Sequence, residues 1–146
     1  MHRSATVDRS PRSVPPTWSG WRRVLAYTLR AVVLVQAALV FWQALLAGRF
    51  MTGDAVALTM HELNGTEIVT TIALLQLVLS VLVWRPARGP WWPAVTSVAL
   101  MAALVAQIGS GFGGRLALHV PLGVAIFGLS VAALIATRPL TAAHPR

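Results

Sequence analysis

The feature that most constrains this chain is a set of four apolar stretches, each about as long as a membrane is thick. They run at roughly Val24–Ala47, Thr66–Trp84, Trp92–Gly109 and Leu116–Thr137, against the about 20 residues a helix needs to cross a hydrocarbon core of about 30 Å. The second is read as starting earlier, near Asp54, and protruding beyond the bilayer. The helices are therefore drawn at about 24–47, 55–84, 92–110 and 115–137. Their connectors are short: Gly48–Gly53 or a little more, Arg85–Trp91, and GSGFGG at 109–114. Short connectors make consecutive helices antiparallel neighbours. The expected class is all-α, an integral membrane up-down four-helix bundle over residues 21–138. A disordered basic tail rich in Ser, Pro and Arg precedes it at 1–20, and a second tail follows at 139–146.

Charge orients the bundle. The net charge of +8 comes from twelve arginines and no lysine. Arg3, Arg9, Arg12, Arg22, Arg23 and Arg30 precede or open the first helix, Arg85 and Arg88 join the second to the third, and Arg138 and Arg146 follow the fourth. That is ten on one side against two, Arg49 and Arg115, on the other. The positive-inside rule then puts both termini in the cytoplasm. Trp18, Trp21, Trp84, Trp91 and Trp92 gather at the same inner boundary, as an aromatic belt does. Because the arginines flank apolar runs and form no face of their own, a nucleic-acid partner is excluded and the lipid bilayer is the expected one. The first helix is retained, since its apolar run exceeds the usual 7–15 residues of a signal peptide and no A-x-A-like site follows. Cysteine is absent, which removes disulfides and thiolate metal sites. An arginine-only, alanine-rich composition points to a bacterial gene and a bacterial plasma membrane, and on that ground the acceptor-like Asn64-Gly65-Thr66 is discounted as a glycosylation site.

With this orientation the unusual residues collect at the outer end. His61 and His119 are the only histidines away from the chain termini, and both open an even-numbered helix. Glu62, Glu67, Asp54, Arg49 and Arg115 lie at the same level. The two halves of the chain repeat one polar order: a glutamine near the outer end of the odd helix (Gln43, Gln107), glycines and one arginine in the turn, then His-x-x-x-Gly. A weak internal duplication explains this. Related as two helix pairs, the halves place the second and fourth helices diagonally across the bundle, with His61 facing His119. His and Gly at i and i+4 share a helix face, so Gly65 and Gly123 are expected to leave a flat opening beside each imidazole. Two opposed histidines flanked by small residues suit bis-imidazole ligation of a haem iron. Arg49 and Arg115 are then placed to pair with the propionates. The expected cofactor is one haem b, serving electron transfer or haem handling near the outer face; no catalytic residue is assigned.

Two other readings stand beside it. The chain can be a non-enzymatic accessory or sensor subunit whose histidines titrate near pH 6.5. Alternatively His61, Glu62, Glu67 and His119 can form a small divalent-metal site of imidazole and carboxylate ligands. Gln36, Gln43, Gln76 and Gln107 are expected to act as interhelical hydrogen-bonding glue, worth under about 2 kcal/mol each. Gly109 and Gly113 are read as loop geometry, and GSGFGG lacks the G-K-[ST] of a phosphate loop. Pro121 is expected in or near the first turn of its helix, where proline is tolerated.

The segment AQIGSGFGGRLALHVPLGVAIF, with HELNG at 61–65 as its weaker counterpart, resembles one four-helix half of the haem A synthase family. The resemblance covers roughly residues 30–137. It implies that His61 and His119, separated by 58 positions (119 − 61), take the positions of paired haem ligands. The family's second half and outer-loop cysteines are absent here, and Ala57 and Glu62 stand where it usually carries a glutamate and an arginine. The resemblance thus implies the haem-binding fold but not the oxidation chemistry, and a second haem would require a homodimer. The "Q, G, H" layout is also similar to that of small bacterial four-helix membrane proteins of unknown function. Reporter fusions check the topology: one at Gly89 is expected to give a cytoplasmic signal and one at Gly114 an outer signal. A cytoplasmic signal at Gly114 would overturn both the topology and the pairing of the histidines.

Overall fold

The computed structural model describes residues 20–141. They form four helices, each long and apolar enough to cross a membrane: α1 Gly20–Met51, α2 Ala55–Trp84, α3 Trp92–Phe112 and α4 Leu116–Thr141. No strand occurs among the described residues. The ends differ from the sequence reading where apolar content is a poor guide. The first helix starts at Gly20 and takes in Trp21, Arg22 and Arg23; at its other end it continues through Arg49 to Met51. Its 32 residues span about 48 Å at 1.5 Å per residue, well beyond a hydrocarbon core. GSGF is helical too, so only Gly113, Gly114 and Arg115 connect α3 to α4. The chain past Ala136 makes a further helical turn at Arg138–Thr141. The tail read at 1–20, apart from Gly20, and the last five residues lie outside the described residues, as do Trp18, Arg3, Arg9, Arg12 and Arg146.

Local chemistry sets the turns. The Asp54 carboxylate caps α2 by accepting from the Ala57 N–H at 3.1 Å, which satisfies one of the donors a helix start leaves open. Pro93 sits in the first turn of α3, where its missing N–H costs nothing. Gly53 and Gly114 turn the α1–α2 and α3–α4 connectors at φ +100° and +65°, a backbone region that side chains with a Cβ rarely adopt.

The helices pack as a ring. α1 lies against α2 and α4, α3 lies against the same two, and neither diagonal pair is a packing partner. The outward surface is apolar, with Leu34, Phe41, Leu74, Val98, Val124 and Ile135 exposed, so the helices are hydrophobic around most of their circumference. Two apolar clusters fill the interior. Val40, Val69, Ala73, Leu100, Leu104 and Ile126 form one, and Leu29, Val33, Leu79, Val83 and Ala133 form the other. Between them along the helices lies a buried polar layer of Gln36, Gln76, Ser80, Ser97 and Ser130. Gln76 donates to the Ser97 hydroxyl at 3.2 Å, and Ser80 does the same at 3.2 Å, joining α2 to α3. Gln36 does not act as glue: its amide is buried with neither atom partnered.

A π-helical turn at Asn64–Val69 interrupts α2. Its extra residue lets Ala57 and Asn64 on one side and Val69, Ala73, Gln76, Ser80 and Val83 on the other all face inward. A continuous α-helix would rotate one of these sets out of the interior. Leu100, fully buried in the first cluster, gives a direct test of the packing. Leu100→Ala is expected to cost about 2–5 kcal/mol by thermal or denaturant unfolding in detergent, and the outward-facing Val98→Ala about 0.5 kcal/mol or less.

Candidate functional site at the paired histidines

His61 lies in the second turn of α2 and His119 in the first turn of α4. Because these helices are diagonal partners, both side chains reach toward the bundle axis. Their ring centroids are 6.1 Å apart and the ring planes are inclined at 56°. Each ring is held the same way. His61 Nδ1 lies 3.1 Å from the Gln43 carbonyl oxygen, and His119 Nδ1 lies 2.9 Å from that of Gln107. A carbonyl oxygen only accepts, so Nδ1 carries the proton in both rings and each Nε2 keeps its lone pair. The Ser110 hydroxyl is also 3.4 Å from His119 Nδ1.

The repeat seen in the sequence is therefore a repeat of contacts. In each half the glutamine backbone orients the histidine, while the glutamine side chain lies over the glycine four residues on. A Cβ on Gly65 would meet Gln43 Nε2 at 2.5 Å, and one on Gly123 would meet Gln107 Nε2 at 3.1 Å. This corrects the expected openings: the space beside Gly65 and Gly123 is taken by carboxamides. The halves differ in how well those amides are held. Gln43 Nε2 donates to the His61 carbonyl at 2.6 Å, and its oxygen accepts from Asn64 at 2.7 Å. The buried Oε1 of Gln107 has no partner. In the second half a different glycine makes room for the ring. A Cβ on Gly111 would stand 2.9 Å from His119 Cε1 and 3.0 Å from Nδ1.

The charged residues are placed otherwise than expected. Arg49 is paired with Asp54, through Nη2 at 2.6 Å and Nε at 3.1 Å to the same oxygen, and its side chain is exposed. The Ala57 N–H, followed by the Arg49 side chain, holds the Asp54 carboxyl below its ordinary value of 3.8. Arg115 is exposed at the start of α4, its Nε 3.7 Å from where a Gly113 Cβ would be, and has no carboxylate partner among the described residues. Glu62 and Glu67 are exposed. Among the described residues no three His, Asp or Glu side chains come together as metal ligands, so the divalent-metal reading of His61, Glu62, Glu67 and His119 is dropped. Pro121 stands inside α4, five residues past Leu116. That is beyond the first turn, and the Ala117 carbonyl consequently lacks its helical donor.

Sequence reasoning singled out Gln43 and Gln107 as interhelical hydrogen-bonding side chains, which Gln43 is through His61 and Asn64, but not for the backbone carbonyls that orient the imidazoles. Any residue type presents that carbonyl, so no sequence signal marks it. Asn64, Ser110 and Gly111 were missed; the glycine excess of GSGFGG was a signal, misread as a loop. No protein-family profile, curated protein or solved structure matches the chain.

Two glycines on one helix separate ring accommodation from helix propensity. Gly109 has nothing within 4 Å of an added Cβ, so Gly109→Ala is expected to raise stability by up to about 1 kcal/mol. Gly111→Ala pushes against a hydrogen-bonded imidazole and is expected to lower stability by about 1–3 kcal/mol, read by unfolding in detergent.

Proposed function

We propose that this chain is a multi-pass membrane protein, both termini inside, that holds one b-type haem near its outer end between His61 and His119 for electron transfer or haem handling. The observation that carries the reading is the shared posture of the two rings. Each Nδ1–H is committed to a carbonyl, which leaves each Nε2 with its lone pair. Metal-bound histidines are commonly fixed in this way, the second ring nitrogen setting the tautomer and raising ligand basicity. Spacing agrees. Two metal–imidazole bonds of about 2.0 Å put the ring nitrogens about 4 Å apart and the centroids roughly 6 Å apart, against the 6.1 Å observed. A pair of histidines is too few ligands for a bare divalent ion, whereas a porphyrin supplies its own equatorial nitrogens.

When bound, the haem supplies one-electron redox chemistry. The protein's own part is to orient the imidazoles through Gln43 and Gln107, to keep water out with the apolar cluster beneath, and to present cations at the outer rim. Arg115, without a carboxylate partner, is the readier propionate contact; Arg49 must first give up Asp54. A macrocycle beside Gly65 and Gly123 would have to displace the carboxamides resting there, Gln107 more easily because its oxygen is unpartnered. A single site at one end does not wire the two faces of a bilayer together, so no electron transfer across the membrane is assigned to one copy.

Protein purified from haem-supplied cells is expected to show a Soret band and a sharp reduced α-band. His61→Ala or His119→Ala should leave a five-coordinate or empty site. Arg115→Ala should weaken haem retention while keeping the low-spin spectrum, with Arg49→Ala milder. Colourless wild-type protein would overturn the proposal and leave the accessory or sensor reading.

A further inference from the structure

The opposite end of the molecule carries a second grouping that the histidine site does not use. Between α1 and α4, Tyr27, Arg30, Ala31, Leu34, Leu134 and Arg138 line an open groove of about 300 Å³. We propose that it binds an anionic phospholipid, the phosphate held by Arg30 and Arg138 and one acyl chain lying along Ala31, Leu34 and Leu134.

Hydrogen bonds build the mouth of the groove. The Tyr27 hydroxyl donates to the Thr141 carbonyl at 3.0 Å, and Arg30 Nη1 donates to the Thr141 hydroxyl at 3.3 Å. These contacts pin the last turn of α4 to α1 and bring Arg138 to the same rim. Arg30 is half-buried and spends one of its five N–H donors on Thr141, leaving the rest of its fork for an anion. The Arg138 side chain makes no hydrogen bond or ion pair among the described residues.

Charge complementarity identifies the occupant. The described acidic residues, Asp54, Glu62 and Glu67, all lie at the histidine end, and the single ion pair among the described residues is there too. At the groove end stand Arg22, Arg23, Arg30, Arg85, Arg88 and Arg138 with no described carboxylate. Tyr27, Trp21, Trp84 and Trp91 are exposed at that end, as aromatic side chains are at headgroup depth. Two guanidinium groups at that depth attract an anion, and basic grooves between helices on the cytoplasmic side suit lipid phosphates. The apolar floor running from the arginines toward Leu34 gives an acyl chain a place that inorganic phosphate cannot use.

The proposal rests on the membrane reading above and not on the haem. Its test is native mass spectrometry of the full chain in neutral detergent, titrated with phosphatidylglycerol, phosphatidylcholine or inorganic phosphate. Phosphatidylglycerol is expected to bind roughly tenfold tighter than phosphatidylcholine, and Arg30→Gln with Arg138→Gln to remove that preference. Arg138→Gln alone, which breaks no side-chain hydrogen bond or ion pair among the described residues, should lower the preference severalfold. Arg88→Gln removes the same charge from the α2–α3 turn and should leave it unchanged. An equal loss in Arg88→Gln would reduce the effect to diffuse charge. Full competition by inorganic phosphate would make this a free-anion site, and either result overturns the proposal. A chain absent from the membrane fraction overturns this site together with the membrane reading; a membrane-retained chain that binds both lipids equally overturns the site alone.

Discussion

Helices that are apolar on every side receive no instruction from hydrophobicity about which face to turn inward, and the rest of this structure depends on how that is resolved. Size and polarity decide it. The interior faces carry Ala26, Ala37, Ala57, Ala73, Ala94 and Ala133 together with Ser80, Ser97, Ser110 and Ser130, while Leu34, Phe41, Leu74, Val98, Val124 and Ile135 point outward. Small residues let backbones approach closely enough for dispersion to act over a long seam, and polar side chains find partners only on neighbouring helices. The larger apolar residues that are buried gather mostly in clusters, as in the layer of Val40, Leu100, Leu104 and Ile126.

Close approach explains why the histidine site takes the form it does. With each helix seated against its two neighbours and the diagonals unpaired, a side chain on α2 or α4 that points to the axis meets its counterpart from across the bundle. The carbonyls of Gln43 on α1 and Gln107 on α3 come from the two flanking helices, so all four helices contribute to one pair of rings. Gly111 and the π-helical turn after His61 are the local adjustments this needs. One makes room for a ring, and the other restores the inward face of α2 below it. The arginine-lined groove has the opposite character: it lies open between α1 and α4, where a ring of four helices leaves a furrow on its outside.

The two ends of the bundle are also unlike in electrostatics. At the histidine end Arg49 and Asp54 neutralise each other across a tight turn, and the Ala57 N–H and Arg49 lower the Asp54 carboxyl below its ordinary value. At the other end the described arginines are uncompensated, and the cation–π placements of Arg22 on Trp21 and Arg85 on Trp84, at 5.5 and 4.5 Å, give them aromatic neighbours in place of carboxylates.

The sequence alone determined the helix number, the helix order and the diagonal placement of His61 and His119, because hydrophobic length, connector length and the spacing of a repeated polar order act locally along the chain. It also located Gln43, Gln107, Gly65 and Gly123. What those residues do was decided only by the tertiary structure. Whether a glycine opens a slot or accommodates a carboxamide depends on a side chain from another helix, as with Gln43 over Gly65. Whether Arg49 is available depends on Asp54 five residues away folding back onto it. The helix ends at Gly20, Met51 and Phe112 and the extra residue at Asn64–Val69 were likewise beyond sequence reasoning. Hydropathy reports where a helix is apolar, whereas its ends and its phase are set by hydrogen bonds and by the neighbours it must face.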